Sequence, residues 1–140
     1  MCELCDTPGG IVVWESPTCR VVRVADPDYP GFCRVIWTAH VREMSDLDPG
    51  ARHSMMNLVF AVERVVRDLF APDKINLASL GNLTPHLHWH VIPRWRDDRH
   101  FPEPIWGQAQ RENSGPRTVV SDDTLRQALR KQLHPEENQG

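Results

Sequence analysis

Between His86 and Arg94 the chain reads His-Leu-His-Trp-His-Val-Ile-Pro-Arg, with a histidine at every second position of its first five residues. In an extended strand successive side chains point to opposite faces. The spacing therefore predicts that His86, His88 and His90 line one face while Leu87, Trp89 and Val91 fill the core on the other. A lone strand histidine is usually structural, but three in alternation with large apolar residues call for a chemical explanation. Two chemistries want such a face. Neighbouring imidazoles bind a metal that acts as Lewis acid or as a source of hydroxide. Alternatively, one neutral imidazole attacks phosphorus and makes a covalent phospho-histidine, its neighbours orienting it and binding phosphoryl oxygens. Histidine suits this second role because its unperturbed pKa of about 6.5 keeps much of it neutral at cell pH.

Other residues bear on the same chemistry. Cys2 and Cys5 have the spacing of one half of a tetrahedral zinc site, whose second pair must come from elsewhere in the fold. The alternative is a pair of free thiols near the terminus. Arg94, Arg96 and Arg99 closely follow the histidines. They are either solvated surface charge or a source of a charge-assisted bond to a polyphosphate tail. Cys19 and Cys33 lie in apolar segments and read as small buried residues. His53 and His100 are given no role.

The elements that must hold these residues follow from pattern. Ile11–Trp14 and Arg20–Val24, separated by Ser16-Pro17-Thr18, read as a hairpin. Asp26–Gly31 is a loop, and Phe32–Trp37 the next strand. Asp48-Pro49 then opens an amphipathic helix with apolar residues from Met55 to Leu69 at steps of three and four, ending near Phe70-Ala71-Pro72. Ile75–Leu80 is a strand, Gly81-Asn82 a turn, and His86–Pro93 the last strand, paired with it through a short connection. Arg94–Arg117 is a long aperiodic loop, Ser121 caps a short helix through Leu133, and the chain frays from Pro135. This order indicates an α+β fold, an antiparallel sheet of about five strands with one long and one short helix.

At 140 residues there is room for one domain. The net charge of −3 supplies no basic face for nucleic acid or a membrane surface, so a phosphate-bearing ligand must be attracted locally. No apolar run approaches the roughly 18 residues of a transmembrane span, and no export signal precedes Cys5. The expected compartment is the cytoplasm, where disulfides are rare, which favours metal ligation or free thiols for Cys2 and Cys5.

The His86–Ile92 run, the Cys2-x-x-Cys5 start, the apolar run into His40, the long helix and the Gly81 turn together resemble the histidine triad (HIT) superfamily of nucleotide hydrolases and transferases, over most of residues 1–100. The similarity is greatest to its prokaryotic branch of diadenosine tetraphosphate hydrolases. It implies a HIT-like catalytic domain over 1–117, with 118–140 as the C-terminal helix and tail of the same domain. It implies cleavage at the α-phosphate of a dinucleoside polyphosphate or nucleoside phosphoramidate, the nucleotide most simply adenosine-containing. In that reading His88 becomes nucleotidylated, His90 contacts the phosphate, and His86 supports the nucleophile or ligates metal. Asp26 corresponds to a ribose-binding acid, Asn76 to an asparagine of the preceding strand, and Asn82 to an amide that reaches a phosphate oxygen. In zinc-bearing members the cysteine pair joins the histidine after the third strand and the first triad histidine, here His40 and His86. The implied zinc is structural, with no cofactor required for catalysis, and the implied assembly is a homodimer. Leu83 departs from the pattern, since many members carry there a serine that helps the leaving group. Thr84 beside it faces the other way in a regular strand. Two other readings follow from the residues: a zinc-dependent hydrolase using the three histidines as ligands, or a nucleotide-binding module with little turnover.

Overall fold

The computed structural model describes residues 2–134, so the expected fraying from Pro135 lies outside the described residues. A five-stranded antiparallel sheet has the order β1-β2-β3-β5-β4, formed by β1 (Ile11–Glu15), β2 (Cys19–Arg23), β3 (Cys33–Trp37), β4 (Lys74–Ala78) and β5 (His88–Arg94). The β1–β2 hairpin turns through Ser16-Pro17-Thr18, where Ser16 Oγ accepts the Cys19 N–H at 3.2 Å.

Alternation then separates two environments. Val21, Val35 and Val91 point to one face and are completely or almost completely buried there. Against this face lies helix α2 (Pro49–Phe70), which contributes Met55, Val59, Val62 and Val66. Each such side chain stabilises the fold by roughly 1.5–3 kcal/mol relative to exposure. The helix begins as its sequence dictates: Asp48 Oδ1 accepts the Ala51 N–H at 2.8 Å and Pro49 occupies the first turn. Helix α3 (Asp122–Leu133), capped by Ser121, packs on α2 and β1, and its Leu125 and Leu129 join the same core.

The opposite face carries the site. Val22 and Ile36 make a small second cluster there with Leu4, which belongs to a short N-terminal helix, α1 (Glu3–Asp6). This helix was not expected from the sequence, being a single turn without a periodic pattern. The backbone leaves it through Gly9, whose φ of +82° favours glycine and where a Cβ would come within 2.6 Å of Leu4 Cδ2.

Two boundaries differ from expectation. β4 ends at Ala78 and β5 begins at His88, so the connection runs from 79 to 87 and is not a tight turn. His86 therefore precedes the strand. Its main chain instead follows β3, with Trp37 N–H donating to Leu87 O at 3.1 Å and Leu87 N–H to Val41 O at 2.8 Å.

Candidate active site

His88 and His90 project from β5 on the α1 side of the sheet, opposite Ile36 and Arg34 of β3, with ring centroids 4.9 Å apart. Both are buried. His88 Nδ1 lies 2.6 Å from the carbonyl oxygen of His86. A carbonyl only accepts, so this nitrogen carries the proton and Nε2 keeps its lone pair. Burial holds the His88 imidazole below its ordinary pKa; the bond to His86 O opposes this, and the Arg34 charge adds to it. His90 is pushed down to about 3, chiefly by burial and then by His88 and Arg34. At neutral pH both rings are uncharged, which is the form a nitrogen nucleophile needs.

His86 lies on the same α1 side of the sheet, before the strand begins, but does not line the cleft. Its Nε2 donates to Trp37 O at 2.6 Å, which leaves Nδ1 unprotonated. That nitrogen sits 3.3 Å from Cys2 Sγ, 3.5 Å from Cys5 Sγ and 3.3 Å from His40 Nδ1. The four donor atoms lie within 4.8 Å of one another. A zinc tetrahedron with bonds of 2.0–2.3 Å has edges of about 3.3–3.8 Å, so the set matches in number, spacing and softness. The Trp37 carbonyl supplies the outer hydrogen bond that metal-binding histidines usually make. The alternative of a metal held by His86, His88 and His90 does not fit, because His86 directs both ring nitrogens elsewhere.

The cleft above His88 and His90 has a volume of about 490 Å³, in the range of small-ligand sites. Helix α1 contributes Glu3 and Leu4, and the 79–87 connection brings Leu80 and Gly81 through Thr84 to the other side. Trp106, half exposed, stands edge-on to His90 at 4.9 Å between centroids. Trp106 reaches this position because its loop is anchored by Asp98, which is completely buried. The Asp98 carboxylate accepts from Arg94 Nε at 2.8 Å, from the backbone N–H groups of Trp95, His100 and Phe101, and from the Tyr29 hydroxyl at 3.0 Å.

The HIT domain family covers residues 9–97 of the chain. The protein belongs to the HIT family. AP-4-A phosphorylase of Mycobacterium tuberculosis is 30% identical over 98 residues, 66% of this chain and 50% of that protein. The asymmetrical bis(5'-nucleosyl)-tetraphosphatase of Schizosaccharomyces pombe is 30% identical over 77 residues, 51% and 42% of the two chains. The chain thus spans about half the length of the curated relatives it matches. Among solved structures, a histidine triad protein from Bradyrhizobium japonicum is 27% identical with a TM-score of 0.71, covering 89% of this chain and 91% of that one. A Zn-bound histidine triad family protein from Mycobacterium smegmatis shares the fold at 19% identity and a TM-score of 0.60, covering 99% and 97%.

The remaining residues singled out from the HIT sequence pattern fall in different places. Asn82 lines the cleft. Asp26 stands in the β2–β3 loop, where its carboxylate accepts the Asp28 N–H at 2.9 Å, and it does not line the cleft. Asn76 on β4 accepts from Arg94 Nη1 at 2.7 Å. Leu83 is almost fully exposed at the cleft rim, and Thr84 lines the cleft beside it because this segment is not a strand. The basic run after β5 turns away: Arg94 is held by Asp98, Asn76 and Glu103 O, and Arg99 lies 3.7 Å from Asp28. The arginine that does line the HIT cleft is Arg34. A charged side chain in the apolar strand Cys33–Trp37 was the available signal for it. Among the described residues, no helix is long and apolar enough to cross a membrane.

Proposed function

We propose that this chain is a nucleotide hydrolase or transferase that works through a covalent nucleotidyl-His88. The observation that carries the reading is the His88 Nδ1–H bond to His86 O, which presents an unprotonated Nε2 in a cleft able to hold a nucleotide. The names of the two 30% identical relatives, a phosphorylase of AP-4-A and a bis(5'-nucleosyl)-tetraphosphatase, support a substrate with adenosine and a polyphosphate. In the first step the Nε2 lone pair forms a bond to the α-phosphorus as the bond to the leaving group breaks. The leaving group departs with the electron pair and takes a proton from solvent or from the cleft. In the second step water attacks the phosphorus and gives up a proton to solvent, the N–P bond breaks with its electron pair returning to Nε2, and the nucleoside monophosphate leaves with His88 restored. His90, uncharged beside His88, hydrogen-bonds a phosphoryl oxygen, and Asn82 offers its amide from the facing segment.

Zinc is the metal we assign to Cys2, Cys5, His40 and His86. Four protein ligands would leave a bound zinc no open position, so it would serve to pin α1 and the His86 backbone in place. The assembly we infer is a homodimer, a reading supported by β4 lying at an edge of the sheet among the described residues.

The decisive experiment is His88→Asn, assayed with diadenosine tetraphosphate and with adenosine phosphoramidate. A loss of at least about a thousandfold in kcat/KM is expected, since covalent catalysis splits the displacement. Mass spectrometry of wild-type protein quenched during turnover is expected to show a nucleotide adduct on His88. Undiminished turnover in the variant would overturn the reading.

A further inference from the structure

Arg34 is the cation of the cleft, yet among the described residues no carboxylate holds it. Among the described residues, Arg23, Arg94, Arg117 and Arg126 each reach an aspartate within 3.1 Å. Arg34 makes none of these pairings. Its Nη1 donates to Gly9 O at 3.1 Å, while Nε is buried with no hydrogen-bond partner. Glu3, which also lines the cleft, acts on it only as a more distant charge. A half-buried guanidinium with an idle donor is unfavourable by itself, and it becomes favourable when an anion arrives.

Its position is set by the backbone. Arg34 is the direct cross-strand neighbour of His90 on β3, on the side of β5 away from β4. The Phe32 ring lies 5.7 Å from its guanidinium carbon, and the Gly9 carbonyl sits in a backbone turn whose φ of +82° strains any residue but glycine. The guanidinium is therefore preorganised beside the reacting group, and the planar fork suits phosphate oxygens.

We infer that Arg34 is the receptor for a second phosphate group of the substrate, distinct from the phosphate that His88 attacks. This rests on the nucleotide reading of the cleft and specifies its substrate class: nucleotides bearing at least two phosphates. The second phosphate has two chemical sources, the polyphosphate tail or a phosphate on the ribose.

Calorimetric titration of the full chain with AMP, ADP and adenosine 3′,5′-bisphosphate separates them. Wild-type protein is expected to bind one bisphosphate at least tenfold more tightly than AMP. A gain confined to ADP places the second phosphate in the tail, and a gain confined to the 3′,5′-compound places it on the ribose. Arg34→Met keeps the apolar stem and is expected to abolish the gain while changing AMP affinity less than threefold. Arg34→Lys, which retains the charge without the fork, is expected to recover part of it. Thermal melting of both variants checks that they fold. Equal binding of all three ligands by the wild type overturns the inference. So does an Arg34→Met variant that weakens AMP as much as the bisphosphates, because Arg34 then serves the reacting phosphate. Wild-type protein that binds AMP and is inactivated by His88→Asn, yet shows no bisphosphate gain, leaves the function standing and removes only the inference. Wild-type protein that binds none of the three removes the nucleotide reading and the inference with it.

Discussion

The carbonyl of His86 accepts the Nδ1–H of His88 at 2.6 Å, while the imidazole of the same residue faces Cys2, Cys5 and His40. One residue thus joins the proposed nucleophile to the candidate metal-ligand cluster, by its main chain on one side and its side chain on the other. The tautomer of His88 follows from a backbone position, and the cluster holds that backbone.

Metal loss should therefore be measurable as a structural event. Cys5→Ser removes one soft donor, and wild-type protein is expected to carry about one zinc per chain by elemental analysis where the variant carries little. The melting temperature of the variant should fall, as should that of the wild type after chelation. Wild-type protein with no bound zinc when purified in its presence would refute the assignment.

Acid should destabilise the fold through His90. Its pKa is held at about 3 in the folded protein, against an ordinary value of about 6.5. Between those values the unfolded chain binds a proton that the native state refuses, so stability falls as pH drops below about 6.5 and levels off below about 3. The loss is of the order of a few kcal/mol. Urea unfolding at a series of pH values checks it, and His90→Gln should flatten the slope. An unchanged slope would assign the acid sensitivity to other groups.

The periodic parts of this chain were legible because one force dominates each of them. Asp48-Pro49 starts α2 and Ser121 starts α3 because their caps are local, and the alternation of Trp89 and Val91 with His88 and His90 holds through β5. His86 extends the same alternation, with Leu87 in the core and the imidazole on the α1 side, but it stands outside the β5 ladder for a non-local reason. The main chain at His86 and Leu87 is drawn to the segment after β3, and its ring is turned to cysteines far away in sequence. The resemblance to zinc-bearing relatives, and not periodicity, brought His40 and His86 to the cysteine pair. Arg34 escaped notice because an arginine in a strand reads as a solvent-facing residue until the facing helix is known. Asp98 was hidden by its setting: a charged, aperiodic loop gives no sign that one carboxylate collects three backbone N–H groups.

Breaking that centre should be costly. Asp98 titrates at about 2, its burial more than offset by the bonds from Arg94 and the backbone amides. Asp98→Asn leaves Arg94 buried without its counter-charge, and a loss of about 3–5 kcal/mol is expected in urea unfolding at neutral pH. Because the folded pKa lies below the ordinary 3.8, this contribution is present above about pH 4 and lost as pH falls through 2. A variant within 1 kcal/mol of wild type would show that the loop does not depend on the carboxylate.

Leu83 offers the converse case, an exposed residue of the cleft whose replacement is expected to act on chemistry and little on folding. Its side chain is almost fully exposed at the rim of the cleft, so Leu83→Ser should alter stability by less than about 0.5 kcal/mol. A hydroxyl there has both a donor and acceptor sites, whereas leucine has none. It can pass a proton to a departing group or hold an oxygen next to the reacting phosphorus. The benefit depends on the leaving group. A polyphosphate leaves as a stabilised anion and needs little protonation, while an amine must gain a proton as the P–N bond breaks. Leu83→Ser is therefore expected to raise kcat/KM for adenosine phosphoramidate by about tenfold, within the low end of general acid catalysis. For diadenosine tetraphosphate the change should stay below about threefold. Steady-state kinetics on the two substrates test this directly. An equal gain on both would show that the hydroxyl serves phosphate binding and not the leaving group, and no gain on either would refute a leaving-group role at this position.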